Sequence, residues 1–401
     1  MAIKTSGWSG PCLSRYRVSG SLESSRAKSR AYRGTTKASL DFARDGLRNG
    51  EPVEPQDSTL SNVGGSRGRQ TERGSILIVA VWSLFFLSAL AVAVNAYVAS
   101  NLNTAAKIKN RAQLLYLAKA GLRLAVSEIA NETAGSCDTL KDPWNSDEKI
   151  FKEIACGENG NLSIRHTAYD EKGQEEYVYG LIDEERKINI NKVSRPALKS
   201  FFEISAGLTS REASDIAGAI VDWRDSDEEP SEGGAENGYY GALDPPYFCR
   251  NADFQVLEEL LLVKGMTTEL YNKTKERLTV YGTGSVNINT ADEAVLQSTG
   301  IDPSISEKIV RFRKGNDGME ATGDDRIFKS AASIIEDLLA AETLSSEETD
   351  QMRNVLGMGL LSARSDNFMG KLEARLKNGR DTMKVTFVFD RAGTIKYWRE
   401  E

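Results

Sequence analysis

Between Ser75 and Ala106 the chain carries no formal charge, and this run constrains its 401 residues more than any other feature. The apolar core of the run, Ile76 to Val94, would span about 30 Å as a helix at ~1.5 Å per residue, the thickness of one bilayer. Lipid offers no hydrogen-bond partner to an exposed backbone, so a segment this apolar is helical if it enters a membrane. A single membrane span is the expectation, with a buried helix of a soluble core as the bland alternative.

The overall charge of -7 hides an asymmetry across that span. Met1 to Gly74 hold 13 Lys/Arg against 7 Asp/Glu, whereas the rest of the chain holds 38 against 51. Basic flanks are retained in the cytoplasm, so Arg67, Arg69 and Arg73 hold the N-terminal side inside and send the acidic bulk across. Lys107, Lys109 and Arg111, on the far side, oppose that bias. Residues 1–72 are rich in Ser, Arg and Gly, lack periodicity and offer too few apolar side chains for a core, so disorder is expected there. With ten Lys/Arg in the first fifty residues, a nucleic-acid-binding arm is the functional alternative.

Past the span, Leu114, Leu115, Leu117, Ala118, Leu122, Leu124, Ala125 and Ile129 recur at three- and four-residue spacing, which predicts that the helix continues and becomes amphipathic until Gly135 and Pro143. Leu162 to Tyr169 and Glu176 to Asp183 alternate apolar and polar residues and predict a hairpin turning at Glu171-Lys172-Gly173-Gln174. From Ile188 to about Ser362 the pattern is of short helices, with one unit occurring twice. Ile188-Asn189-Ile190-Asn191 precedes Leu198, Phe201 and Phe202, a Gly207 break and a helix from Ser210. Val286-Asn287-Ile288-Asn289 precedes Val295 and Leu296, a Gly300 break and a helix from Ile305. Val256 to Leu278, turning at Gly265, predicts a third helical hairpin. Gly370 to Leu376, Met383 to Phe389 and Thr394 to Trp398 return to strands, so the helical block interrupts a sheet.

Chemistry is sparse in the sequence. One histidine, His166, builds no Ser/His/Asp or Cys/His constellation, and no glycine loop cradles a phosphate, which argues against an enzyme. Four cysteines without a CxxC or Cys/His cluster argue against zinc. Cys137 and Cys156 bracket a polar segment where a disulfide would be permitted. Glycine-turn hairpins often bind DNA through backbone N–H groups, but each turn here has one glycine, Asp302 would face the phosphate and the block is acidic, so protein packing is the expected role. The most concentrated signal lies between Asp222 and Glu236, where seven carboxylates occupy fifteen positions without a lysine. A hard dication accepting six to eight oxygens would relieve their repulsion. The spacing is not that of an EF-hand, and a solvated acidic loop is the alternative.

These residues together resemble the K-type minor pseudopilins of type II secretion. The likeness rests on the Arg73-Gly74 junction before the apolar helix, Asp222-Trp223-Arg224-Asp225-Ser226-Asp227 with Gly233-Gly234-Ala235-Glu236 and Tyr239-Tyr240, Val263-Lys264-Gly265-Met266, Val286-Asn287-Ile288-Asn289-Thr290-Ala291 and the terminal Tyr397-Trp398-Arg399-Glu400. It implies an α+β fold: a pilin-like long N-terminal helix plus an antiparallel sheet, with a large inserted α-helical domain of helix-hairpin-helix/SAM-like repeats. On that frame residues 1–74 are a leader removed after Gly74 by prepilin peptidase, with methylation of the new terminus Ser75. Residues 75–130 are the transmembrane and amphipathic helix, 131–187 and 365–401 the two parts of the pilin-like domain, and 188–364 the insert. A 74-residue leader is long for the family and leaves the start codon open.

The resemblance also implies calcium at Asp225, Asp227 and Glu236. Val79 stands at the fifth mature position, where most pseudopilins have glutamate, and this suits a subunit at the tip with no neighbour above it. The implied function is to begin or cap a pseudopilus that exports folded proteins across the outer membrane. The implied partners are minor pseudopilins I and J, prepilin peptidase and the inner membrane, with the C-terminal domain in the periplasm and no nucleic acid. A minor pilin or DNA-uptake component of a type IV pilus-like machine is the alternative.

Overall fold

The computed structural model describes residues 73–131, 137–169, 175–341 and 344–401. The expected disorder of residues 1–72, the helix end at Gly135 and the turn at 171–174 lie outside them. The first element, α1 (Arg73–Asn131), is one helix of 59 residues. It is long and apolar enough to cross a membrane, with a mean hydropathy of 2.6 over its most apolar window, none of it buried. From Ile76 to Lys109 every residue is exposed.

The second half of α1 packs on a sheet. Leu114, Leu117, Ala118, Leu122, Ala125 and Ile129 form one stripe against Leu162, Ile164, Phe368, Leu372, Ala374, Val385, Phe387 and Phe389. A Cβ at Gly121 would stand 2.1 Å from Leu372 Cδ1, so the missing side chain is what lets helix and strand approach. After α1 come α2 (Glu148–Phe151), β1 (Ile154–Ala155), β2 (Gly160–Ile164), β3 (His166–Tyr169), β4 (Glu175–Val178) and β5 (Ile182–Asp183). The expected strand over 162–169 is therefore two. Its first part pairs with the C-terminal strand that contains Leu372 to Leu376, and its second part pairs with β4 as the expected hairpin. The break falls at Arg165, which is pulled onto the sheet by Glu373 at 2.7 Å while its guanidinium covers the Tyr177 ring.

The chain then enters the helical block through β6 (Ile188–Asn189), α3 (Arg195–Ala206), α4 (Ser210–Arg224) and α5 (Asn237–Tyr240). A 3₁₀ turn over Leu257–Leu262 leads to α6 (Thr268–Thr274), so the third expected hairpin has a 3₁₀ first arm. At its start Glu259 turns its carboxylate back to accept from the N–H groups of Gln255 and Val256. The block continues with β7 (Leu278–Thr279), β8 (Val286–Asn287), α7 (Glu293–Ser298), α8 (Pro303–Arg313), α9 (Ile334–Ala341), α10 (Ser346–Gly357) and β9 (Leu361–Ser362). Three long strands close the chain: β10 (Asn367–Leu376), β11 (Thr382–Asp390) and β12 (Ile395–Glu400). The main sheet runs β1-β2-β10-β11-β12, antiparallel, with β5 also on β10. Strands from both sides of the helical block thus share one sheet, as an interruption requires.

The sequence repeat is a structural repeat. In the first copy Asn189 accepts from the N–H of Asn191, and Asn191 exchanges two hydrogen bonds with the backbone of Phe254. In the second, Asn287 accepts from Asn289 N–H, and Asn289 exchanges two with Phe328. Arg224 at the end of α4 donates to the carbonyls of Ile190 and Val193, and Arg313 at the end of α8 donates to those of Ile288 and Ala291. Trp223 stacks on Phe254 as Phe312 stacks on Phe328.

Where the helical block joins the sheet, buried carboxylates bind the two crossings. Asp183 on β5 accepts from Asn287, Thr290 and Ser365, and Glu185 accepts twice from Asn367 at the start of β10. Burial and the neighbouring Asp183 push Glu185 up to about 8. Cys156 is a free thiol.

Candidate metal centre

The acidic segment is shaped by the helix that precedes it. Thr209 and Glu212 form a capping box that starts α4, and α4 places Asp222 and Trp223 on its buried face. Asp222, 1 % exposed, accepts from both the N–H and the hydroxyl of Ser231, at 3.1 and 2.6 Å, which folds the segment back over the helix. That fold-back needs the Gly-Gly pair. Gly233 has φ of +79°, and a Cβ on Gly234 would lie 1.9 Å from Asp222 Oδ2.

Of the seven carboxylates, Asp225, Asp227 and Glu236 converge, each offering one oxygen within 4.8 Å of the others. Glu236 is 4 % exposed, yet its Oε1 has no hydrogen-bond partner, and neither has Oδ1 of Asp225. Burial first, then the Asp227 and Asp222 charges, raises the Asp225 carboxyl. Burial followed by Asp222, Asp225 and Glu228 raises Glu236, against a lowering hydrogen bond from Cys249. Buried anionic oxygens without donors are costly unless a cation meets them. The donor set is all oxygen, and it suits a hard dication such as calcium rather than zinc. Cys249 supports the same choice. Its thiol is pushed up to about 12 by burial and by Glu236, so it stays protonated and donates to Glu236 Oε2 and Asn251 Oδ1 instead of offering a thiolate.

The second wall of the site comes from residues that the acidic run did not reveal. Asn237 and Asn251 both donate to Glu228, and Asn251 also donates to the Asp227 carbonyl. Asn251 is held in a left-handed conformation, φ +47°, with its N–H on the Trp223 carbonyl. Lys264 donates to the carbonyls of Gly233 and Gly234, outside the carboxylate cluster. The available sequence signal was the Asn before Asp253-Phe254, a residue type that tolerates positive φ.

A second acidic group, Asp317, Asp324 and Asp325, also brings oxygens within 4.8 Å. It lies between Arg313 and Phe328, the position in the second copy that the Asp225 cluster holds between Arg224 and Phe254 in the first. Its carboxylates are already satisfied. Asp324 accepts from the N–H groups of Asn316 and Asp317 and from Thr322, Asp325 from Ala321 N–H and Thr322, and Asp317 from Met319 N–H. The expected processing residues, Gly74 and Ser75, are in the first turn of α1.

Residues 185–283, which contain the metal-centre carboxylates and the first repeat copy, match the model of the family described as type II secretion system (T2SS), protein K. Type II secretion system protein K of Pseudomonas aeruginosa is 28% identical over 218 residues, 52% of this chain and 60% of that protein. A putative type II secretion system protein K of Escherichia coli K12 is 23% identical over 54% of this chain and 65% of its own length. The protein K of Pectobacterium carotovorum is 36% identical over 83 residues, 20% of this chain and 25% of that protein. The chain therefore spans less than two thirds of the curated relatives it matches. A chain from the crystal structure of the GspK-GspI-GspJ complex of the enterotoxigenic Escherichia coli type 2 secretion system shares the fold, at a TM-score of 0.54 and 16% identity over 75% of this chain and 99% of that one. By these matches residues 185–283 are similar to the type II secretion system protein K family, and the fold of the chain is similar to that of a chain in the GspK-GspI-GspJ complex.

Proposed function

We propose that this chain is a minor pseudopilin at the tip of a type II secretion pseudopilus, where it begins or caps assembly for export of folded proteins across the outer membrane. One observation carries the reading: a bare apolar helix long enough to cross a bilayer leads into a sheet interrupted by a helical block, and the family match falls on the start of that block. The helix packs beside like helices, and the broad block covers the end of the bundle. Two partner pseudopilins, I and J, join it, by analogy with the complex whose chain shares its fold. Co-expression of the full chain with I and J from the same genome, followed by affinity purification in detergent, tests this. A stoichiometric ternary complex is the expected result, and recovery of the chain alone at micromolar concentration refutes the assembly.

The N-terminus lies in the cytoplasm and the C-terminal domain in the periplasm, and prepilin peptidase cuts after Gly74 to leave N-methylated Ser75. Mass spectrometry of the mature chain, with and without the peptidase, reads both events. The repeated hairpins of residues 188–364 act as protein-packing modules of the helix-hairpin-helix/SAM-like kind. Supporting this, single glycines with φ of +70°, +82° and +95° turn the chain at Gly207, Gly265 and Gly300, and Asp302 fills the N-terminus of α8 with its own carboxylate.

Calcium binds Asp225, Asp227 and Glu236, where it would neutralise the orphaned oxygens and fasten the loop to the end of α4; its part is structural. Isothermal titration of the chelator-treated protein with calcium, against Asp227→Ala and Glu236→Ala, tests it. A wild type that releases no heat ends the idea.

A further inference from the structure

We propose that Asp183 and Glu185 share one proton whose loss unfastens the base of the helical block from the main sheet, so that the pair is a pH-sensitive latch. The two residues follow each other at the exit from β5, at 1 % and 4 % exposure. Asp183 Oδ2 accepts from Asn287 and Thr290, inside the block, at 3.2 and 2.6 Å, and from Ser365, just before β10, at 2.7 Å. Its Oδ1 accepts from the Glu185 N–H at 2.8 Å. Glu185 accepts from the N–H and the side-chain amide of Asn367, the first residue of β10, at 3.0 and 2.7 Å. The side-chain bonds therefore tie the chain that enters the block to a segment within it and to the chain that leaves it.

Charge is unbalanced at this junction. The neighbouring buried carboxylates have cations of their own, Lys187 for Glu184 and Arg391 for Asp138. Among the described residues no Lys or Arg forms an ion pair with Asp183 or Glu185, although the charge of Arg186 lowers Asp183. On the side of β10 a cleft reaches Asn367 past Asp366, Arg391 and the Asp390–Lys396 pair. From the turn after β7, Gly282 lies against Glu185 Oε1, and the Tyr281 phenol beside it is pushed up by burial and stays neutral. Two ionised carboxylates so close and so dry repel each other, so the pair keeps a proton. Donor supply places it. Asp183 accepts four hydrogen bonds and Glu185 two, so the charge is better served on Asp183 and the proton rests on Glu185. Burial and then the Asp183 charge raise Glu185 to about 8 on the same account. Opening the junction returns the Glu185 carboxyl to water and to its ordinary value of 4.5. The open form is thus favoured increasingly as pH rises from about 4.5 to about 8. Above that both forms are ionised and the trend stops.

Hydrogen exchange on the full chain in detergent tests the latch, read as protection relative to the intrinsic rate at each pH. The amides of Glu185 and Asn367 are themselves donors in the latch and report its opening. Wild-type protection at these amides is expected to fall about tenfold per pH unit between about 5 and about 8 and then to level off. Glu185→Gln is the isostere of the protonated form, and the Asn367 amide can turn over to meet its new N–H. Its protection should stay level across that range. Asp183→Asn removes the repelling charge and should bring the levelling-off down by about one pH unit; it decides the matter if Glu185→Gln does not fold. A wild type whose protection is flat between those limits overturns the latch, as does a slope that persists in Glu185→Gln or a levelling-off unmoved in Asp183→Asn. An equal fall at the amides of α4 also overturns it, because the whole chain rather than the junction would then be opening.

Discussion

In one copy of the repeated unit Asn191 binds the backbone of Phe254, Trp223 stacks on Phe254 and Arg224 donates to the Ile190 carbonyl, and in the other Asn289 binds the backbone of Phe328, Phe312 stacks on Phe328 and Arg313 donates to the Ile288 carbonyl. The scaffolds match contact for contact, and the segments they carry diverge. The first suspends Asp225 and Glu236 with unpartnered oxygens and carboxyls raised by burial. The second surrounds Asp324 with donors, the N–H of Asn316 first, and holds it down to about 2. Three acidic groups in a small volume are common to both. What separates a candidate ion site from a self-satisfied turn is whether the backbone has already supplied the hydrogen bonds.

The comparison breaks most visibly at the aromatic stacks. Trp223, 2 % exposed, touches Tyr240, Tyr247 and Phe254, so Trp223→Ala should cost ~3–5 kcal/mol in thermal unfolding. Phe312→Ala, at a partly exposed position, should cost less. If the two variants were equal, the first loop would add nothing to the packing of its copy.

Next come the arginines. Arg313, 5 % exposed, donates to two carbonyls and to Glu320. Arg313→Met leaves these buried acceptors unmatched and should cost about 3 kcal/mol in the same measurement. Arg224→Met removes a less buried clamp, and ~1–2 kcal/mol is expected.

Calcium sharpens the contrast without altering the core. At a hundredfold excess over Kd it should stabilise the chain by ~2.7 kcal/mol, read as a rise in Tm of several degrees. Asp227→Ala should abolish the rise and Asp324→Ala should leave it. A rise that survives the first substitution and fails with the second would exchange the roles of the two loops.

The smallest effect is a pH dependence from the second loop. Asp324 has a folded pKa below its unfolded value, so its stabilisation is complete above the ordinary carboxylate range and is lost as pH falls from about 4 through about 2. The group is fully exposed, so the change should be slight. Comparing the acid limb of wild type with that of Asp324→Asn checks it: the variant should lack this contribution to the slope.

The long helix, its switch from bare to amphipathic at Leu114, the three terminal strands and the repeat were legible because each is a periodic or local pattern. The apolar stripe from Leu114 to Ile129 is the face that the sheet covers. Arg165 was not legible. Alternation continues through it, and the strand divides only because Glu373 and Tyr177, distant in sequence, take hold of its two sides. The 3₁₀ arm at Leu257–Leu262 was hidden as well, since an apolar run of that length fits either helix type.

Sequence alone determined where a membrane could be crossed, which faces turn inward and that negative charge concentrates after α4, for these follow from composition and spacing along one segment. Only the tertiary structure decided that three of the seven carboxylates meet, that Asn237, Cys249 and Asn251 wall them in, and that the matching group at Asp317 needs nothing more. Those outcomes depend on which donors reach each oxygen through space. Hydrogen-bond supply at a point is set by distant segments brought together, and no local pattern encodes it.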